Sequence, residues 1–227
     1  MCTVSFLPTK SGFILTSNRD EKNFRSKAIF PSYIESTSGT LTYPKDGQAG
    51  GTWISLAPNK MICLLNGGFE KHTPKPLYRH SRGKVVLDAF DSESFEQFRT
   101  NYDFSDLEPH TLIMIEFGHD LNLHELRWDG DKKHIKKMSV LLPAIWSSVT
   151  LYPKDVCKKR EELFAHWCKT SKFEPDLIKE FHLNGGFGDK RNDFLMQREN
   201  GLQTISISQV VLENGKGKLF YTDLLEK

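Results

Sequence analysis

Several things are scarce in this chain of 227 residues, and each scarcity excludes a class of protein. There are only 4 cysteines, Cys2, Cys63, Cys157 and Cys168, none spaced as CxxC or set beside paired histidines, so neither a structural zinc site nor a dithiol redox motif is expected. The 8 histidines include no HExxH or other ligand pair, and no metal or other cofactor is implied. No apolar run reaches the roughly 18 residues that a membrane-spanning helix needs. A net charge of +2 without long basic runs argues against a dedicated nucleic-acid binder. Lys132-Lys133 and Lys136-Lys137 read instead as the solvated face of a strand or turn. The first residues lack the basic-then-apolar pattern of a secretory leader, so a cytoplasmic location is expected. No linker-like stretch interrupts the composition, which favours one domain over residues 1–227.

What is present begins at the first two positions. Met1 is followed by Cys2, a residue small enough for the initiator methionine to be removed. A chain that starts with cysteine carries a thiol nucleophile beside a free α-amine whose ordinary pKa is about 7.7–8.0, close enough to neutrality to act as its base. Residues 2–7 and 13–17 are apolar and β-rich, and Pro8-Thr9-Lys10-Ser11-Gly12 between them forms turns. A hairpin centred near residue 10 is expected to set Cys2 opposite Asn18, at roughly 5 Å between Cβ atoms. Asn18-Arg19-Asp20-Glu21 then brings a guanidinium and a carboxylate to the same sheet end. The alternative is a cysteine that merely starts a strand and a polar string that merely turns.

The remaining elements alternate between strands and helices. Residues 22–50, with Pro31, Gly39, Pro44, Gly47 and Gly50, read as a loop-rich crossing, and residues 67–80 as a loop with two prolines. Further hairpins are expected at 52–57 with 60–65, at 111–117 with 121–127, and at 203–212 with 217–222, the last turning on Asn214-Gly215. Two helical pairs separate them. The first involves Val86 to Phe90 and Phe95 to Phe98, with Ser92 as a cap between. In the second, Val156, Arg160, Leu163, Phe164 and Trp167 share one face, and Pro175 opens a shorter helix ending before Asn184. This order predicts antiparallel sheets covered by helices, an α+β chain whose four-layer αββα sandwich competes with a simple two-layer fold.

Met1-Cys2-Thr3, Ser17-Asn18-Arg19-Asp20-Glu21, Gly50-Gly51-Thr52-Trp53, Leu65-Asn66 and Ser81-Arg82-Gly83 occur in one order over residues 1–90. In these motifs the chain resembles the NRDE family, the transport-and-Golgi-organisation proteins, which are similar to the cysteine type of N-terminal-nucleophile hydrolase. The resemblance implies the αββα fold and a cysteine-hydrolase activity, with lipid metabolism and haem handling as themes of the family. It implies that Cys2 attacks an acyl carbon, that Arg19 favours the thiolate, and that Asp20 orients the amine or Arg19. Strand alternation would put Asp20 on the face of Cys2 and turn Arg19 away unless a bulge intervened.

By the same resemblance, Asn66 corresponds to an asparagine that helps form an oxyanion hole, although Asn66-Gly67-Gly68 is also an ordinary turn string. Asn18 and Trp53 are candidates to line the substrate pocket, and Trp53 equally fits a core. Ser148 stands where the relatives carry an asparagine donor, a departure that leaves a shorter hydroxyl there. Thr204 and Ser206, alternating in the last hairpin, are expected to line one sheet end or to be plain strand formers. Two functions follow. One is a cysteine hydrolase of a small acylated molecule, an amide or thioester. The other is a non-catalytic carrier of a hydrophobic ligand such as an acyl-CoA or haem.

Overall fold

Asn214 and Gly215 both take positive φ, 50° and 76°, and so form the tight turn that Asn-Gly favours between two strands. In the computed structural model, which describes residues 3–36 and 39–225, sixteen elements run in order. The first six are β1 (Thr3–Thr9), β2 (Gly12–Lys22), β3 (Ile29–Ser36), β4 (Gly39–Lys45), β5 (Ile54–Leu56) and β6 (Lys60–Asn66). Next come α1 (Arg82–Asp88), α2 (Phe95–Asn101), β7 (His110–Glu116), β8 (Asn122–Trp128), β9 (Lys133–Met138) and β10 (Ala144–Ser147). The last four are α3 (Lys154–Thr170), α4 (Pro175–Asn184), β11 (Leu202–Glu213) and β12 (Lys216–Asp223).

The chain divides into two compact units, one of residues 1–25 with 141–227 and one of residues 26–140. The first unit holds an antiparallel sheet of order β10-β1-β2-β11-β12. One face of it is covered by α3 and α4, whose Phe164 and Ile178 pack on Leu7 and Ile14 with Trp167, Phe173 and Phe181 around them. Alternation turns Val4, Phe6, Phe13, Leu15, Val210 and Leu212 to the other face, and all of these are buried. The second unit holds a sheet of order β3-β4-β5-β6-β7-β8-β9. There α1 and α2 lay Val85, Val86, Phe95 and Phe98 on Ile62, Leu64, Leu112, Met114 and Leu126.

Three local expectations change. The stretch expected to be a loop-rich crossing contains the β3–β4 hairpin. Strand β3 is an edge strand exposed along most of its length, so no buried face imposed an alternating pattern to read. Helix α2 is capped by Ser94, whose hydroxyl accepts from the Gln97 amide, rather than by Ser92. In the first hairpin Thr9 pairs with Gly12, which sets Thr3, not Cys2, opposite Asn18. The lysine pairs behave as expected, since Lys133, Lys136 and Lys137 lie on the exposed edge strand β9.

Candidate active site

In the first unit the consecutive residues Asn18, Arg19 and Asp20 are all buried, and the pleat divides them between two faces. Asn18 and Asp20 face the helices. The Asn18 amide donates from Nδ2 to the carbonyls of Phe194 (2.8 Å) and His182 (3.3 Å), which fixes its Oδ1 as the acceptor facing His182 Nδ1 at 2.7 Å. The imidazole therefore carries its proton on Nδ1, and its Nε2 accepts from the Ser5 hydroxyl at 2.7 Å. Burial, reinforced by the nearby Arg160 charge, pushes the His182 pKa down to about 3 and keeps the ring neutral. Asp20 accepts from the Tyr152 hydroxyl at 2.8 Å and from the Thr204 hydroxyl at 2.6 Å.

Arg19 lies on the opposite face, directly across from Ser206 in β11. Strand β2 alternates regularly, without the bulge that would have brought Arg19 to the face of Asp20; the irregularity lies in β11 instead. The register slips between Thr204, paired with Asp20, and Ser206, paired with Arg19. The extra residue, Ile205, puts Thr204 and Ser206 on opposite faces, although simple alternation would have placed them on the same one. Ser17, Ser206 and Ser208 are buried with Arg19 on its face. Ser148 is buried immediately after β10, its hydroxyl 2.9 Å from that of Thr150, and its neighbour Ser147 is paired with Thr3. Cys2, the expected nucleophile, lies outside the described residues.

Arg160, which its spacing places on the shared face of α3, is not among the expected site residues. It occupies the apolar face of α3 and is completely buried. Its guanidinium donates to Thr3 Oγ1 (2.5 Å), to the Asn192 carbonyl (3.0 Å) and to the Asp193 carbonyl (2.6 Å), and it stacks 3.8 Å from the Tyr152 ring centroid. The available signal was a cation on an otherwise apolar helical stripe.

Asn66 and Trp53 belong to the second unit. Asn66 ends β6 opposite His110, and Gly67 follows at φ 88°, with its amide donating to the Pro109 carbonyl and its carbonyl accepting from Thr111. Trp53 is buried just before β5, and its carbonyl accepts from the Leu64 amide. The glycines before it have a structural task. A Cβ on Gly51 would lie 2.5 Å from the backbone of Gly83, in the first turn of α1, and Thr52 donates to the Gly83 carbonyl. The Gly-Gly-Thr-Trp and Ser-Arg-Gly motifs thus meet as one close backbone crossing.

Two antiparallel sheets with helices covering them are the architecture of the cysteine N-terminal-nucleophile hydrolases, and solved members of that class match along the whole chain. Two are crystal structures of the conjugated bile acid hydrolase of Clostridium perfringens, one a cysteine-to-alanine mutant and one an arginine-to-leucine variant. They give TM-scores of 0.58 and 0.54 at 11% and 12% identity, covering 100% of this chain and 93% of theirs. Penicillin V acylase of Agrobacterium tumefaciens gives 0.51 at 9% identity, covering 100% of this chain and 87% of its own. At such identities the likeness shows the fold, the αββα sandwich expected from the sequence. The family model described as transport and Golgi organisation 2 matches residues 1–205, and the chain belongs to that family. Among curated proteins no sequence match was found.

Proposed function

We propose that this protein, once Met1 is removed, hydrolyses a small acylated molecule, an amide or thioester, with Cys2 as nucleophile. The observation that carries the reading is the placement of Thr3, the residue after Cys2. It is pinned to Asn18 of β2 at the sheet end where Arg19, Ser206, Asp20 and Ser148 are gathered. The fold shared with cysteine hydrolases supports it.

The α-amine of Cys2 takes the thiol proton as sulfur bonds to the acyl carbon, and it returns that proton to the leaving nitrogen or sulfur as the original bond breaks. Water then attacks the thioester, its proton going to the amine, and release of the acid restores the thiol. Arg19 acts on the face that carries Ser17 and Ser206, as the positive charge that favours thiolate. Asp20 holds the amine end from the helix side, backed by Tyr152 and Thr204. In the first unit Ser148 is the donor proposed for the oxyanion and Asn18 supports a wall, and the family resemblance assigns the same two roles to Asn66 and Trp53.

Intact mass of the purified protein should show Met1 absent. A panel of acyl amides and thioesters should then be turned over by wild type. Cys2→Ser and Cys2→Ala should remove turnover by at least ~100-fold with thermal stability nearly unchanged, because the chemistry depends on one sulfur atom. Retained Met1, or processed wild type inert across the panel, would refute the proposal.

A further inference from the structure

We propose that Arg160 is the positioning residue of this site: it fixes Thr3, the residue next in sequence to Cys2, and, through Tyr152, the carboxylate of Asp20. The proposal rests on the reading of Cys2 as nucleophile. Nothing about the fold requires a cation at position 160. The surrounding face of α3 is apolar, with Val156 and Phe164 buried beside it. A guanidinium with no exposure costs far more to bury than leucine or methionine unless its charge is answered, and among the described residues no carboxylate pairs with Arg160. What answers it is a set of neutral acceptors and two aromatic faces. Nε donates to Asn192 O, Nη2 to Asp193 O, and Nη1 to Thr3 Oγ1 and, at 3.4 Å, to Ser147 Oγ. The Tyr152 and Phe194 ring centroids lie 3.8 and 4.7 Å from the guanidinium carbon.

These partners are not a random sample of the core. Thr3 follows the proposed nucleophile. Ser147 is the register partner of Thr3 and precedes Ser148. Tyr152 donates its hydroxyl to Asp20. One rigid fork therefore ties the start of β1 to the end of β10, and its stacking holds the phenol that holds the carboxylate. A cation on the face of a phenol ring also withdraws electron density from it and makes its hydroxyl a stronger donor to Asp20. Lysine could supply the charge but neither the fork nor the stack.

The test uses full-length protein with Met1 removed and reads the iodoacetamide labelling rate of each cysteine by peptide mass at neutral pH. Wild type should label Cys2 well ahead of the others, since Cys63 is buried and burial pushes the Cys157 thiol up and the Cys168 thiol up to about 11. Arg160→Met should slow Cys2 by at least ~10-fold, the scale on which misplacing a reacting group by about an ångström acts, and leave Cys63 and Cys168 unchanged; Cys157, whose thiol the Arg160 charge lowers, is not used as a control. Arg160→Lys should not restore the rate. Tyr152→Phe, which removes one oxygen and keeps the ring, should slow Cys2 in the same direction. Combining Tyr152→Phe with Arg160→Met should add nothing to Arg160→Met alone. If Arg160→Met does not fold, Tyr152→Phe and Arg160→Lys carry the test. Wild-type selectivity for Cys2 retained in the variants would overturn the role of Arg160 while leaving the nucleophile reading in place. A wild-type Cys2 no faster than the other cysteines would overturn both.

Discussion

Acidification below pH 6.5 should destabilise this protein through two histidines that fold in the neutral form. His182 is fully enclosed between Ser5, Asn18 and the rings of Phe181 and Phe194, and its pKa is pushed down to about 3 by burial and then by Arg160. His110, also fully buried, is pushed down to about 4 by burial, with its Nδ1 set against the Glu108 carbonyl. In the unfolded chain both return to about 6.5, so between their folded and unfolded pKa values the unfolded state binds more protons. The stability they contribute is whole above pH 6.5 and is lost as the pH falls toward the folded values. Each group changes stability by about 1.4 kcal/mol per pH unit inside that window. At pH 4.5 the loss is on the order of 2–3 kcal/mol from each, together about 5, against a typical total of about 5–15.

The assay is urea unfolding at constant ionic strength at pH 7.0, 5.5 and 4.5. Between the last two, wild type should lose about 1 kcal/mol more than His182→Gln, whatever their absolute stabilities, because His110 and His124, which burial also pushes down, titrate alike in both. Asp129, held down at about 2 first by the Lys132 amide and then by His134, titrates below this window and does not confuse it. Equal pH slopes in wild type and His182→Gln would refute the claim that His182 is neutral because it is buried.

Two further outcomes follow from packing. Gly51→Ala places a methyl 2.5 Å from the Gly83 backbone and should cost about 1–3 kcal/mol, read as a fall in Tm of roughly 2–4 °C per kcal/mol. Asn18→Ala leaves His182 Nδ1 buried without its acceptor and the Phe194 carbonyl with only the longer contact from the Thr204 hydroxyl, and should lower stability by about 2–3 kcal/mol, seen as a lower urea midpoint at unchanged m.

What could be read from the sequence was what is encoded locally. Asn214-Gly215 announces its turn because both residues tolerate positive φ, and α3 announces itself through Val156, Phe164 and Trp167 on one face. The β3–β4 hairpin gave no such sign, because Ile29, Phe30 and Tyr33 are exposed on an edge strand and no buried face disciplines them. The slip at Ile205 was unreadable for another reason. A single inserted residue has no characteristic type, yet it decides which face Ser206 shares. Arg160 was visible on its stripe, but its meaning comes from residues 3, 147, 192 and 193, all distant in sequence.

The motif that suggested one catalytic cluster is in fact divided by the pleat, and the division separates its tasks. Asn18 spends its amide on His182 and Phe194, and so ties the sheet to α4 and the segment before β11. Asp20 joins Tyr152 and Thr204 on that same face, one step closer to the sheet end. Arg19 is the member turned the other way, into a buried face that carries serine hydroxyls at Ser17, Ser206 and Ser208. A guanidinium is kept in such a place only where polar groups or a bound anion meet it, since burial without them is prohibitive. On the reading proposed here, Arg19 is the part of the motif that addresses the thiolate and the acyl group, while Asn18 and Asp20 hold the strand end in position from behind.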